Sequence, residues 1–365
     1  MRLEETCNRP RMFRGGMVLL FVFNLVMLYL SWRKLSTYAE PRFHLKKSTG
    51  DPHDTPQRTL ALTGELRQAK QLSGPGIAAS ENRCKRCFNS TEVQNIRQHI
   101  LKFYNPETNL TLTKSTLQIG RRLKYEISLS NKVTVTKAIM KLIPNESPLK
   151  NRHFNTCAVV GNSGVVLNST CGQEIDSMDF VIRCNLPQIE GYEKDVGSKA
   201  NFTTMNPSVV PQNFGRDYNR LLGRLKQVGD QILYVPALTS PNGERDVRVI
   251  SQIVLQRKLP VKTAFPPAGI NNLVKSIWTD AGFDILRPST GVHMYTLAAT
   301  ICDQIHLYGF YPFSEDTRGR ALRYHYYDTE TEMINNGTHN MPGEFRVFQQ
   351  HHQRGAVVLH TEPCH

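Results

Sequence analysis

The sequence has none of the patterns that mark a nucleic-acid-binding protein. It contains no zinc-finger spacing, no aromatic RNA-binding signature and no concentrated run of basic residues. Its formal net charge is nevertheless +14, and a charge of that sign favours an anionic partner. We therefore expect no nucleic-acid partner, and the spread of positive charge fits an acidic small-molecule or glycan substrate better.

The usual phosphate-binding motifs are missing as well. The turn Gly161-Asn162-Ser163-Gly164 follows a short apolar run, and its small residues let the backbone approach a ligand closely. However, it has neither the G-x-G-x-x-G spacing of dinucleotide sites nor the Gly-Lys-Ser/Thr ending of a P-loop. The turn alone leaves a phosphate site and an ordinary tight turn equally open.

A cysteine cluster large enough for a metal cage is also lacking, because the eight cysteines are scattered along the 365 residues except for Cys84 and Cys87, which have no second Cys or His pair near them. Scattered cysteines argue against a metal cage and favour disulfides formed in an oxidising lumen. N-glycosylation sequons agree with a lumenal location. Six of them follow the one apolar N-terminal segment, at Asn89, Asn109, Asn145, Asn168, Asn201 and Asn336.

The N-terminal quarter of the chain predicts a membrane anchor followed by a linker. Residues 17–32 are almost uninterrupted apolar sequence, which with the two preceding glycines would span about 27 Å as a helix. We predict a cytoplasmic tail at 1–16 and a type II signal-anchor at 17–32, with a cleaved signal peptide as the alternative. Residues 33–87 are rich in Pro, Gly, Ser, Thr and charge and predict a flexible stem. Residues 88–365 then form the folded lumenal domain.

Within that domain, short strand-like runs alternate with helical patterns. Such alternation predicts an α/β fold of Rossmann-like type, with a mostly parallel sheet covered by helices on both faces. The predicted strands are 158–160, 180–182, 201–205, 231–235, 261–265, 304–308 and 356–360, and the main predicted helices are 91–104, 217–227, 245–256, 270–281 and 291–302.

Polar side chains follow several of these strands. Asn162 and Asn185 each come just after a predicted strand, so a parallel sheet would place them at one edge, where ligands gather. Asn206 follows a third strand, and it holds substrate hydroxyls or merely forms an Asn-Pro turn. Ser289 and Thr290 precede a helix that begins near Gly291, and free backbone N–H groups there bind carboxylate or phosphate, although a plain helix cap explains the same pattern.

One histidine stands just before a predicted helix. Pro342 is placed to open a helix that buries Phe345 and Phe348, so that His339 lies outside its positive end. A positive helix end disfavours imidazolium, and His339 is therefore expected to be neutral and able to accept a proton. Glu344 lies in the first turn, where it either orients the site or satisfies the helix end.

Four segments together resemble the sialylmotifs of animal sialyltransferases. Residues 157–187 resemble the long motif, and their Gly-Asn-Ser-Gly and Cys-Gly-Gln-Glu-Ile-Asp forms are similar to the α2,8 branch, with its oligo- and polysialyltransferases. Residues 287–313 resemble the short motif, residues 324–328 the third and residues 339–344 the very short motif. The resemblance covers the chain from about Phe88 to its C-terminus.

This resemblance implies a glycosyltransferase-A-like variant of the α/β fold and CMP-sialic acid as donor. In the family's pattern His339 is the catalytic base, and Asn206 and Glu344 are candidates for acceptor binding or support. Cys157 pairs with Cys302 and Cys171 with Cys364, leaving Cys184 free. The donor is held by Asn162, Asn185, Ser289, Thr290, Gly291, Tyr311, Tyr324 and His325, with Tyr311 standing where close relatives usually carry Trp.

The activity implied is inverting α2,8 transfer to sialic-acid-terminated glycans of glycoproteins or gangliosides in the Golgi. We expect no cofactor and no metal, and the sequence has no Asp-x-Asp motif. Basic residues between Gln256 and Arg287 are interspersed with acidic ones, which favours mono- or oligosialylation. A polysialyltransferase, and a glycan-binding protein that has lost catalysis on the same fold, remain as alternatives. The resemblance leaves a homodimer open.

Overall fold

Strands and helices alternate along the chain in the computed structural model. The structure describes residues 88–126, 132–215, 217–239, 242–329 and 339–364. The side chains of 242–247 and 251 are not described. The predicted tail, anchor and stem at 1–87 and the sequon at Asn336 lie outside the described residues. From Phe88 onward, no described helix combines the length and the hydropathy that crossing a membrane requires.

The described elements follow one another as a series of strand and helix pairs. The helices are α1 (Ser90–Leu101), α2 (Lys137–Leu142), α3 (Gly172–Ser177), α4 (Glu193–Val196), α5 (Tyr218–Val228), α6 (Asn242–Gln256), α7 (Ile270–Asp280), α8 (Thr290–Ile301) and α9 (Met341–Gln353). The strands are β1 (Arg122–Lys124), β2 (Lys132–Thr134), β3 (Phe154–Val160), β4 (Phe180–Arg183), β5 (Phe202–Thr204), β6 (Ile232–Tyr234), β7 (Lys262–Ala264), β8 (Cys302–Tyr308) and β9 (Val358–His360).

Seven strands form one parallel sheet in the order β7-β6-β5-β4-β3-β8-β9. The chain runs outward from β3 through β7 and then returns to pair β8 with the other side of β3. The order of the strands therefore reverses between β3 and β8. In an open parallel sheet, ligands bind at such a switch point, beyond the carboxyl ends of the strands.

Both faces of the sheet are buried, which is why β3 and β4 read as continuous apolar runs. On one face, Val159 and Leu307 pack with residues of α1, α7, α8 and α9. On the other, Val160 and Tyr308 pack with α3 and α4. Helix α8 is apolar almost all round, and all its residues from Gly291 to Ile301 are buried except the half-buried His293, as expected for a helix within a core.

The predicted α/β fold is confirmed, and each predicted strand and main helix is present with bounds that differ by a few residues. Several short elements were not predicted. The antiparallel pair β1–β2 stands apart from the main sheet, and α2, α3 and α4 have only four to six residues each. Elements this short carry too few periodic positions to be distinguished from loop sequence.

Two disulfides join distant parts of the domain. Cys157 of β3 is bonded to Cys302 at the start of β8, and Cys171 is bonded to Cys364 near the C-terminus. Cys184 is a buried free thiol. The pairing implied by the resemblance is therefore confirmed.

The five described sequons differ in surroundings. Asn89, Asn145 and Asn168 are exposed, and the Asn89 side chain caps α1. Asn109 and Asn201 are half-buried, and the Asn201 side chain accepts a hydrogen bond from the backbone N–H of Val181. Their occupancy by glycans stays a prediction.

Candidate active site

The turns after β3 and β8 meet at the switch point of the sheet. The backbone N–H of Gly161 donates to the carbonyl of Tyr308 at 2.7 Å. A Cβ at Gly161 would lie 2.5 Å from the carbonyl oxygen of Gly309, and a Cβ at Gly309 would lie equally close to the carbonyl of Gly161. Glycine is therefore required at both positions, because any side chain would force the two turns apart.

Asn162 and Asn185 lie at this carboxyl edge, as predicted. The Nδ2 group of Asn162 donates to the carbonyl of Cys184 at 3.0 Å, which links the ends of β3 and β4. Its Oδ1 atom is buried and has no hydrogen-bond partner among the described residues. Buried polar atoms are rarely left unpaired in folded proteins, so this oxygen suits a donor group on a ligand.

Asn185 occupies an unusual backbone conformation that fixes its position. Its φ is +62°, in the left-handed region that asparagine tolerates better than most residues. The Asn185 N–H donates to the hydroxyl of Thr204 at 2.8 Å, and its Oδ1 accepts from the N–H of Asn206 at 3.3 Å. These bonds connect the ends of β4 and β5.

Asn206 extends the connection to the N-terminus of α8. Its Nδ2 group donates to the Thr290 hydroxyl at 2.7 Å. Ser289 caps α8, because its Oγ accepts from the backbone N–H of Val292 at 3.3 Å. The sequence left Asn206 between a ligand contact and a turn residue, and the structure shows it positioning the first turn of α8.

The start of α8 also packs closely against an aromatic ring. A Cβ at Gly291 would lie 2.3 Å from Cε1 of Phe310, so glycine allows the helix to approach the segment after β8. Tyr311, the next residue, has its ring against Phe313 and Phe345, with centroids 5.0 and 5.5 Å away. The Tyr311 carbonyl accepts from the hydroxyl of Ser163 at 2.7 Å, which brings Tyr311 to the Gly161–Gly164 turn.

His339 lies immediately before Asn340, the N-cap of α9. Its Nδ1 is 2.8 Å from the carbonyl oxygen of Arg287. Since a carbonyl only accepts, Nδ1 carries the proton and Nε2 keeps its lone pair. Burial lowers the pKa of His339 and the charge of Arg287 lowers it further, although the hydrogen bond to the Arg287 carbonyl acts in the opposite direction. His339 is therefore a neutral imidazole near pH 7 whose Nε2 accepts a proton.

Glu344 joins α9 to α8. Its carboxylate is buried, and Oε1 accepts from the backbone N–H of Ser289 at 2.8 Å. Burial raises the pKa of Glu344 to about 7, against the opposing effect of the Ser289 hydrogen bond. Of the two sequence-based readings, orientation of the site fits this contact, since Glu344 holds Ser289 in place two residues after the Arg287 carbonyl that binds His339.

This carboxyl should make stability fall as pH rises. The pKa of Glu344 is raised from 4.5 to about 7 in the folded chain, so its contribution is fully present below pH 4.5 and lost as pH rises through about 7. A shift of that size is worth about 3 kcal/mol. We expect the free energy of unfolding, measured by denaturant titration between about pH 5 and pH 8, to fall less in Glu344→Gln, which keeps an acceptor oxygen but does not titrate. The exposed Glu190→Gln control should keep the wild-type slope, and an unchanged slope in Glu344→Gln would contradict the assignment.

The third predicted segment reaches the same edge through the backbone. The N–H of Tyr326 donates to the carbonyl of Asn162 at 2.8 Å. The rings of Tyr324 and His325 lie 4.4 Å apart, and the His325 Nδ1 is 2.9 Å from an Asp328 carboxylate oxygen. Burial lowers the pKa of His325, while Asp328 acts to raise it. His325 therefore has an anionic partner that can stabilise a proton when the site requires one.

Most of the predicted site residues are thus tied to the carboxyl edge by hydrogen bonds or close packing, whereas Tyr324 and His325 reach it only through the backbone of the neighbouring Tyr326. Sequence reasoning missed three of the groups that connect them: the Arg287 carbonyl, the Thr204 hydroxyl and the Ser163 hydroxyl. It also missed Arg183, which is fully buried and whose Nη atoms have no hydrogen-bond partner among the described residues. Ser163 and Thr204 could have been predicted from their places in the sequence, because Ser163 follows β3 and Thr204 ends β5. Nothing local marks the Arg287 carbonyl.

A second concave surface lies away from this edge, at the amino end of β7. It is a groove of about 1000 Å³ whose walls carry four lysines. Two of them, Lys258 and Lys262, belong to the segment between Gln256 and Arg287, in which basic residues are interspersed with acidic ones. Folding brings them together with Lys114 and Lys141.

Comparison with known proteins shows the family to which the chain is similar. The model of glycosyltransferase family 29 (sialyltransferase) matches residues 104–356. Human alpha-2,8-sialyltransferase 8E is 31% identical over 377 residues, covering 99% of this chain and 98% of that protein.

Two solved structures of mammalian sialyltransferases match most of this chain. A mammalian sialyltransferase in complex with Gal-beta-1-3GalNAc-ortho-nitrophenol has a TM-score of 0.50 at 21% identity, covering 77% of this chain and 99% of that one. A further crystal structure of a mammalian sialyltransferase has a TM-score of 0.49 at 22% identity, covering 77% and 98%. Because the family model matches residues 104–356, well over half of the chain, the chain belongs to glycosyltransferase family 29, the sialyltransferases.

Proposed function

We propose that this enzyme transfers sialic acid from CMP-sialic acid, in α2,8 linkage, to a terminal sialic acid on glycoprotein or glycolipid glycans. The 31% sequence identity to human alpha-2,8-sialyltransferase 8E, over nearly the full length of both chains, supports the α2,8 linkage. The observation that carries the mechanism is the His339 imidazole, whose Nδ1–H is held by the Arg287 carbonyl while Nε2 remains an acceptor.

In the proposed reaction, His339 is the general base. The 8-hydroxyl of the acceptor sialic acid attacks the anomeric carbon of the donor and loses its proton to Nε2 of His339. The new oxygen–carbon bond forms on the face opposite CMP, and the bond from the anomeric carbon to the phosphate oxygen breaks. CMP leaves with the electron pair, and the anomeric centre is inverted.

The remaining site residues are proposed to hold the donor. Asn162 offers a buried acceptor oxygen, and Asn185 is fixed beside it by Thr204. The free N–H groups at the start of α8, beyond the Ser289 cap, suit the sialic acid carboxylate. In this proposal Tyr324 and His325 bind the phosphate as its negative charge grows, and Tyr311 contacts the sugar.

We further propose that the reaction uses neither a metal nor a bound cofactor. CMP is a good leaving group, and the charge that develops on it is small enough for hydrogen-bond donors to stabilise. We place the enzyme in the Golgi membrane as a single-pass type II protein. We propose that the enzyme adds one or a few sialic acid residues. Because folding brings four lysines together in the groove at β7, the length of the product should be measured.

An acceptor panel tests this function. The full-length chain in mild detergent would be incubated with CMP-sialic acid and with glycoproteins and gangliosides ending in α2,3- or α2,6-linked sialic acid, with asialo acceptors as the matched control. We expect transfer to the sialylated acceptors only, with one or a few α2,8-linked residues added and with initial rates unchanged by EDTA. Transfer to asialo acceptors alone would refute the α2,8 assignment, and a long polymer would refute the short product.

A further inference from the structure

Three metal-binding side chains converge on the sheet face that packs against α3 and α4. His306 and Tyr308 lie two residues apart on β8 and so point to the same face. In the parallel register, Tyr308 is paired with His360 of β9, which places His306 and His360 diagonally. Glu174 comes from α3. The proposed reaction uses none of these three ligating residues.

The potential ligand atoms form a compact triangle. Nδ1 of His306 is 3.1 Å from Nε2 of His360, and Oε1 of Glu174 is 3.9 and 3.6 Å from these two nitrogens. Ligand atoms bound tetrahedrally at about 2.0–2.1 Å from zinc lie roughly 3.3–3.5 Å from one another. We propose that Glu174, His306 and His360 bind a divalent transition-metal ion.

The donor set selects the kind of ion. Two imidazole nitrogens and one carboxylate oxygen suit zinc, whereas calcium and magnesium prefer oxygen ligands alone. The side chains of Glu174, His306 and His360 are only 17, 8 and 12% exposed, so an ion bound by them would be largely shielded from solvent. A water molecule would complete the tetrahedron.

Neighbouring groups orient the ligands. The Tyr308 hydroxyl donates to Oε1 of Glu174 at 2.9 Å, and the Tyr308 ring stacks on His360 with centroids 4.1 Å apart. Nδ1 of His360 lies 3.9 Å from Sγ of Cys364. A weak N–H to sulfur contact there puts the proton on Nδ1 and leaves Nε2 to face the other two ligands, as metal-bound histidines require.

The site would have a structural role, because none of its ligands is among the residues proposed to hold the donor or to take the proton. It joins α3, β8 and the C-terminal strand β9, next to the Cys171–Cys364 disulfide. His339 precedes α9, which packs on the opposite face of the sheet. Loss of the ion should therefore lower stability and leave the initial rate of transfer unchanged. The alternative is that the two imidazoles simply share a hydrogen bond at 3.1 Å.

The test measures metal content and stability in the untagged full-length chain in detergent. Zinc would be quantified by mass spectrometry, and cobalt would be titrated into chelator-treated protein to follow the visible absorption of tetrahedral Co²⁺. We expect one equivalent of metal in the wild type and in the exposed-histidine control His153→Gln, and none at this site in His306→Gln or His360→Gln.

Zinc add-back separates metal binding from misfolding. At a free zinc concentration about a hundred times Kd, the Tm of chelator-treated wild type should rise by about 5 °C. The two variants should show no rise, although their own Tm values are lower. The proposal is overturned if the wild type binds no stoichiometric zinc, or if the cobalt spectrum and the Tm rise persist in His306→Gln and His360→Gln.

Discussion

Replacing His339 with alanine is expected to lower kcat by about 10²–10⁴-fold, the usual contribution of a positioned general base. The variant loses the acceptor nitrogen that the Arg287 carbonyl orients. The KM for CMP-sialic acid should stay within a few-fold of the wild type, because the assignment puts His339 on the acceptor hydroxyl and not on the nucleotide.

The matched control for this experiment lies on the same element. His352 is an exposed histidine in the last turn of α9, and His352→Ala should retain near wild-type kcat. Transfer would be followed with saturating donor and a sialylated acceptor, and folding of each variant checked by circular dichroism. A loss smaller than about tenfold in His339→Ala would remove His339 from the role of base.

The pH dependence of kcat/KM provides a second readout of the same group. The base must be unprotonated, so activity rises with pH through the pKa of His339. Burial lowers that pKa below its ordinary value of 6.5. The acidic limb of the profile should therefore lie below pH 6.5, and the enzyme should stay active in a mildly acidic compartment. His339→Ala should lose this limb along with the rate.

A second histidine does not compete for this titration. His293 on α8 is half-buried, with Nε2 2.9 Å from the Asn271 side-chain oxygen. Burial, with smaller contributions from His339 and Arg287, lowers the pKa of His293 to about 4. Both imidazoles are therefore neutral near pH 7, and protonation of either one would disfavour protonation of the other.

The sheet and its ligand-binding edge could be predicted because their signals are local. Short strand-like apolar runs that alternate with helical patterns predict an α/β fold, and the parallel strands of such a fold bring their carboxyl ends to one edge. Asn162 and Asn185 could be placed there from their positions after β3 and β4. The order of strands could not be predicted, since nothing in a short buried strand states which neighbour it pairs with.

Contacts between distant segments account for what was missed. Glu344 was assigned to the first turn of α9. It accepts a hydrogen bond from Ser289, 55 residues earlier, and no pattern near either residue predicts this contact. The same holds for Asn206 and Thr290, which are 84 residues apart. The neutral state of His339 was predicted from the helix end, whereas burial is the larger cause in the structure. Burial of this kind depends on the packing of several elements and not on the flanking residues.

Removing the Cys157–Cys302 disulfide is expected to cost about 5 kcal/mol of unfolding free energy. The bond closes a loop with a sequence separation of 145 residues, and the chain-entropy model gives about 5 kcal/mol for a loop of that length. It joins β3, which ends at the Gly161 turn, to the junction of α8 and β8. The double variant Cys157→Ala, Cys302→Ala should therefore be far less stable, and less of it should be folded and active at physiological temperature.

Loss of the sulfur atoms alone must be separated from loss of the cross-link. Cys157, Cys302 and Cys184 are all buried, but Cys184 forms no disulfide. Cys184→Ala thus measures the cost of emptying one buried thiol site, which should be about 1–2 kcal/mol. Denaturant unfolding of the double variant should show a loss well beyond twice that of Cys184→Ala. If the double variant loses only about twice the unfolding free energy that Cys184→Ala loses, the cross-link itself contributes nothing to stability. The junction of α8 and β8 would then be held to β3 by packing alone.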